Sequence, residues 1–117
     1  MNGAILLIID DEASVCRALR RILQKRVQEV ITVSNAADAE LVLDTRPVTH
    51  VLCDNLLGAE QPRGMDIAAG WKKKHPSIVR LAILTGASAS CGSLPDGIDV
   101  VLPKTTDPFA LADLIGL

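Results

Sequence analysis

The stretch "ILLII" at residues 5–9 contains no polar residue, and four further stretches of the chain read much the same way. They are Glu29–Val33, Val48–Cys53, Ile78–Leu84 and Ile98–Leu102, with the first run taken as Ala4–Ile9. A strand with one wet face alternates apolar and polar positions, whereas a strand covered on both faces is aliphatic almost throughout. Strands of this kind need helices on both sides of their sheet, and parallel strands need crossover connections long enough to hold those helices. The expected architecture is therefore a doubly wound α/β fold: a five-stranded parallel sheet in the flavodoxin-like order 2-1-3-4-5.

The intervening segments carry helical punctuation. Asp11 is expected to cap a first helix whose face is Val15, Leu19, Ile22 and Leu23, with Arg17, Arg20, Arg21 and Lys25 largely off it. Ser34 or Asn35 caps a second, with Ala37 and Leu41 expected to point inward before Pro47 stops the pattern. A third runs from Met65 to Lys74, and its lysines 72–74 read as a solvated helix end rather than a binding patch. The last follows Thr106 or Asp107, with Pro108 in the first turn and Phe109, Ala112 and Ile115 at helical spacing. The slot for a fourth helix holds "GASASCGSLPDG", residues 86–97, where Gly, Ser and Pro imply a short or irregular element.

A length of 117 residues supports one domain, 1–117. With 49% hydrophobic residues and only Trp71 and Phe109 aromatic, its core must be aliphatic. A net charge of −2 and the scarcity of stacking side chains argue against nucleic-acid binding by this segment. No apolar run approaches a membrane span, and Met1 leads into a strand without a leader pattern, so a cytoplasmic location is expected. Cys16, Cys53 and Cys91 lie far apart without a CxxC or Cys/His cluster and read as buried thiols. Cys53 should point into the sheet–helix packing, and His50 and His75 lack ligand partners and read as structural or surface residues.

Ligands of doubly wound sheets bind beyond the carboxyl ends of the strands. Strand one ends in Asp10 and Asp11, strand three in Asp54, strand four in Thr85, and strand five at or just before Lys104. Strand two ends in Val33-Ser34 and offers nothing comparable. Three carboxylates, a hydroxyl and an ammonium are thus expected in one pocket. Clustered carboxylates raise one another's pKa unless a cation neutralises them. Oxygen-only ligands at an open site suit Mg²⁺. A phosphoryl group arriving at Asp54 would share its charge among the cation, Lys104, Thr85 and backbone N–H groups. Singly each residue is ordinary: Asp11 suits a helix cap, and a threonine or lysine commonly follows a strand. The conjunction at strand ends carries the signal.

In that conjunction, "IIDDE", "LCDN", "LTG" and "LPK", the chain resembles the receiver domain of bacterial two-component response regulators over essentially its whole length. The resemblance implies that Asp54 accepts phosphate from a histidine kinase or phosphotransfer protein. It implies Mg²⁺ held by Asp10, Asp11, Asp54 and the backbone carbonyl of Leu56. Thr85 would turn inward on phosphorylation and Lys104 would pair with the phosphate. It further implies an output domain or target protein, and a homodimer among the assemblies open to it. Such a domain catalyses its own phosphorylation and dephosphorylation without being a conventional turnover enzyme.

The chain also departs from the family pattern. Pro103 precedes Lys104 and Thr105 follows it, whereas receivers usually carry a cis proline after the lysine. A cis bond before a non-proline costs about 2.5–4 kcal/mol, so the Lys104–Thr105 bond is expected to be trans or strained. The loop after Asp54 is expected to be longer than usual, with Gly58 where a proline is common and Gly64 aligned with the glycine before helix three. Val101 stands where the family has its aromatic switch, so signalling is expected to leave by another face. Two alternatives stay open: an interaction module that is not phosphorylated, and a haloacid-dehalogenase-like phosphatase. In the latter the nucleophile ends the first strand and a second aspartate lies two residues later, where this chain has Leu56.

Overall fold

The computed structural model describes residues 3–54, 68–85, 97–104 and 106–117. The elements in chain order are β1 (Ile5–Ile9), α1 (Ala13–Leu23), β2 (Glu29–Val33), α2 (Ala36–Thr45), β3 (His50–Asp54), α3 (Trp71–Lys74), β4 (Arg80–Thr85), β5 (Val100–Pro103) and α4 (Pro108–Leu114). All strand pairs are parallel, in the order β2-β1-β3-β4-β5. Strand ends fall within about two residues of the aliphatic runs, the usual scatter of element boundaries.

The absence of alternation has a direct structural counterpart. Ile5, Leu7 and Ile9 of β1, with Val51 and Cys53 of β3 and Leu81 and Ile83 of β4, face Ala39 and Leu43 of α2 and Trp71 of α3. The intervening Leu6, Ile8, Leu52, Ala82 and Leu84 face Cys16, Leu19 and Leu23 of α1 and Leu111 and Ala112 of α4. Successive residues of a strand point to opposite faces, so a sheet between two helical layers needs an apolar side chain at every step. Each fully buried Leu or Ile contributes about 1.5–3 kcal/mol relative to exposure.

Helix phase is where the sequence reading needs correction. On α2, Leu41 is 63% exposed and Ala37 faces outward, while Ala39 and Leu43 are buried. Asn35 sets this phase by accepting the Asp38 N–H at 2.8 Å, which starts the helix so that the 39/43 stripe meets the sheet. On α4, Asp107 is the cap as expected, accepting the Ala110 N–H at 3.3 Å, but Phe109 is 56% exposed. Burial on this helix begins at Leu111 and continues at Ala112. On α1 the N-cap is Glu12 rather than Asp11, with no side-chain cap bond; Asp10 Oδ1 accepts the Glu12 N–H at 2.9 Å instead.

The lysine run is likewise not uniformly solvated. Lys72 Nζ lies 2.9 Å from both carboxylate oxygens of Asp99, the residue before β5. Asp99 also accepts the Leu81 N–H at 2.7 Å and gives its own N–H to Leu81 O at 2.9 Å. Nearby, Gly97 has φ +91, and a Cβ there would lie 2.3 Å from the Ala69 carbonyl oxygen, so only glycine fits. The expected helix start at Met65, the irregular slot at 86–96, Cys91, Gly58 and Gly64 lie outside the described residues.

Candidate functional site

The pocket is built where β1, β3, β4 and β5 reach their carboxyl ends. Asp10 continues the β1–β2 ladder, donating its N–H to Val33 O at 3.1 Å, and Asp54 is the last residue of β3. Both acids are buried, at 2% and 3% exposure. Thr85 closes β4, also buried, and its carbonyl accepts the Lys104 N–H at 2.8 Å. That bond fixes where Lys104 leaves β5. The ammonium then reaches Asp54 Oδ2 at 3.0 Å, Asp10 Oδ2 at 3.5 Å and Glu12 Oε1 at 3.6 Å.

Carboxylate oxygens of Asp10, Asp11 and Glu12 lie within 4.8 Å of one another, Asp11 and Glu12 being exposed. Among the described residues, buried Asp10 Oδ2 makes no hydrogen bond and meets only the Lys104 ammonium, 3.5 Å away. Burial raises the Asp10 pKa; the Glu12 N–H and the Lys104 ammonium pull it down while the Asp54 charge pushes it up. Burial works against the Lys104 ammonium, yet its pKa is raised, by the hydrogen bond to Asp54 and the charges of Asp10, Asp54 and Glu12. The pocket is thus a place where negative charge is concentrated beyond what its ammonium offsets.

The structure brings Asp10, Asp11, Asp54 and Lys104 to one rim with Thr85 beside them, in the strand order expected. The Leu56 carbonyl and Thr105 lie outside the described residues. Val101 is half-buried, pairs with Ile83 in register and packs on the α2/α3 side of the sheet. Cys53 is fully buried in that same core, its thiol pushed up to about 12, first by burial and then by the charges of Asp54 and Asp10. His50 is buried with Nδ1 2.8 Å from Thr49 Oγ1, and His75 Nε2 lies 3.5 Å from Asp44 Oδ1. Glu12 is the residue sequence reasoning passed over: a third acid in "DDE" was visible, but its contact with Lys104 was not. The end of β2 is also less empty than expected. Thr32, Ser34 and Asp38, with Asp10, Asp11 and Arg17, line a cavity of about 370 Å³ on that side.

A flavodoxin-like parallel sheet with buried acids and a shared ammonium at its carboxyl rim defines the class of the domain. Comparison with known proteins narrows it. No family model matches the chain. The hydrogenase transcriptional regulatory protein HoxA of Bradyrhizobium diazoefficiens is 32% identical over 114 residues, covering 94% of this chain and 23% of that protein. The transcriptional regulatory protein KdpE of Mycobacterium tuberculosis is 33% identical over 113 residues, covering 95% of this chain and 47% of its own length. A response regulator from Burkholderia pseudomallei, solved with a phosphorylated aspartic acid, a calcium ion and citrate, matches with a TM-score of 0.83 at 23% identity. That match covers 96% of this chain and 66% of the other.

By fold and by sequence, this chain belongs to the receiver domains of response regulators. It spans from about a sixth to about half the length of the curated relatives it matches. Among the described residues no helix is long and apolar enough to cross a membrane.

Proposed function

We propose that this receiver domain takes a phosphoryl group onto Asp54 from the phosphohistidine of a histidine kinase or phosphotransfer protein, in a Mg²⁺-dependent reaction. The change is passed to an output domain or a separate target protein. The observation that carries this reading is the Lys104 ammonium, 3.0 Å from Asp54 Oδ2 and shared with buried Asp10. In the transfer, an Asp54 oxygen bonds to phosphorus as the P–N bond to the donor imidazole breaks, its electron pair staying on nitrogen. Charge on the phosphoryl oxygens is then met by the Lys104 ammonium and the Thr85 hydroxyl.

The residues present fit a hard divalent cation. Among the described residues Asp10 Oδ2 is buried with the Lys104 ammonium, 3.5 Å away, as its polar neighbour, and every donor in the acidic cluster is oxygen. Asp10, Asp11 and Asp54 would hold the ion, with the Leu56 carbonyl completing the set that the family implies. When bound, such an ion neutralises the acids and polarises phosphoryl oxygens. The names of HoxA and KdpE as transcriptional regulators support an output in transcription, exerted by another domain or protein. Incubation with acetyl phosphate or phosphoramidate and Mg²⁺ should add one phosphoryl mass that Asp54→Ala abolishes. Mass retained in Asp54→Ala would overturn the assignment.

A further inference from the structure

Glu12 occupies a position that the phosphoacceptor reading leaves without a task. Its backbone starts α1: the N–H is taken by Asp10 Oδ1 at 2.9 Å, and the carbonyl accepts the N–H groups of Val15 at 3.1 Å and Cys16 at 3.2 Å. Its side chain makes no cap bond and is 61% exposed. Yet the carboxylate stands 3.6 Å from Lys104 Nζ, on the solvent side of an ammonium already shared by two buried acids.

The electrostatic consequence follows from counting charges at the mouth. Among the described residues, the cation paired with Asp10, Glu12 and Asp54 is Lys104. An incoming phosphoryl group is an anion, and Lys104 is the side chain that would draw it in. Glu12 offsets that attraction from outside. Asp11 is also exposed, but the divalent cation of the proposed reaction would take up its charge. Glu12 then remains as the acid an approaching donor meets first.

We infer that Glu12 is a specificity-determining residue: its carboxylate, held against the Lys104 ammonium at the mouth of the pocket, disfavours small dianionic phosphodonors relative to donors carrying less negative charge. The inference rests on Asp54 being the phosphoacceptor. A phosphoryl group presented on a protein imidazole brings a less negative leaving group than an acyl phosphate does, so Glu12 protects Asp54 from stray metabolic acyl phosphates.

The test compares acetyl phosphate, a dianion near neutral pH, with phosphoramidate, which carries a net single negative charge. With acetyl phosphate, acetate leaves with the electron pair of the broken P–O bond; with phosphoramidate, whose nitrogen is already protonated in the monoanion, neutral ammonia leaves with the electron pair of the broken P–N bond. Initial rates of Asp54 phosphorylation are read by intact mass at saturating Mg²⁺, for the unaltered protein, Glu12→Gln, Glu12→Lys and Glu12→Asp. Because the side chain makes no cap bond, these replacements leave the α1 turn intact. The acetyl phosphate rate should rise about threefold in Glu12→Gln and further in Glu12→Lys, less than the tenfold or more of a whole charged cleft because one exposed charge is changed. The phosphoramidate rate should rise less than half as much, Glu12→Asp should keep most of the original preference, and added salt should compress every difference. Parallel changes with both donors, or an unchanged donor ratio, would overturn the inference while leaving Asp54 as the acceptor. Failure of the unaltered protein to gain phosphate at Asp54 would remove both.

Discussion

Asp99 should be one of the most sensitive polar positions outside the pocket, and the reason is its buried partner. Asp99→Ala removes both oxygens that hold Lys72 at 2.9 Å and the acceptor of the Leu81 N–H at 2.7 Å. Leu81 is fully buried, so its N–H loses its acceptor at a cost of about 1–3 kcal/mol. Lys72 is partly exposed and can turn to solvent, so losing the ion pair adds at most about 1 kcal/mol. The sum is about 1–4 kcal/mol, a sizeable share of the 5–15 kcal/mol typical of a whole domain. Lys72→Met removes only the ion pair and should cost no more than about 1 kcal/mol. Asp99→Asn keeps an oxygen for Leu81 and should fall close to Lys72→Met. Urea unfolding followed by the fluorescence of buried Trp71 reads all three, with m-values checked for constancy. If Asp99→Ala came within about 0.5 kcal/mol of Lys72→Met, the buried N–H would not be the dominant contribution, and the reasoning would fail.

Three further outcomes are expected. Gly97→Ala places a Cβ 2.3 Å from the Ala69 carbonyl at φ +91 and should lose at least about 2 kcal/mol in the same unfolding assay; a neutral result would mean that the turn before β5 rearranges freely. Burial, and secondarily the Arg80 charge, lower the His50 pKa from its usual 6.5. The unfolded chain therefore takes a proton near pH 6.5 that the folded one refuses, and stability present above that pH should decline as pH falls below it. Replacing His50 with Gln should flatten this part of the stability–pH curve, and an unchanged slope would assign it elsewhere. Without divalent cations, Asp10→Asn should raise the melting temperature, because burial and the Asp54 charge disfavour the Asp10 carboxylate more than the Glu12 N–H and Lys104 compensate it; a gain of about 1 kcal/mol would read as about 4 °C in a domain of this size. Mg²⁺ should stabilise the unaltered protein and not this variant, which can be checked by thermal unfolding with and without chelator.

Strand positions, sheet order and the acids at strand ends were legible in the sequence because each has a local or topological cause. Aliphatic runs without alternation require two helical layers, and parallel strands joined by right-handed crossovers deliver Asp10, Asp54, Thr85 and Lys104 to the same rim. Helix phase was less legible. Leu41 and Phe109 fit helical spacing as well as their buried neighbours do, and only the caps at Asn35 and Asp107 decide which side meets the sheet. The contacts of Asp99 with Lys72, 27 residues earlier, and of Glu12 with Lys104 belong wholly to the tertiary structure. No local signal marks which charge an exposed acid will meet, because that depends on where separate crossovers place two side chains and on how much water is left between them.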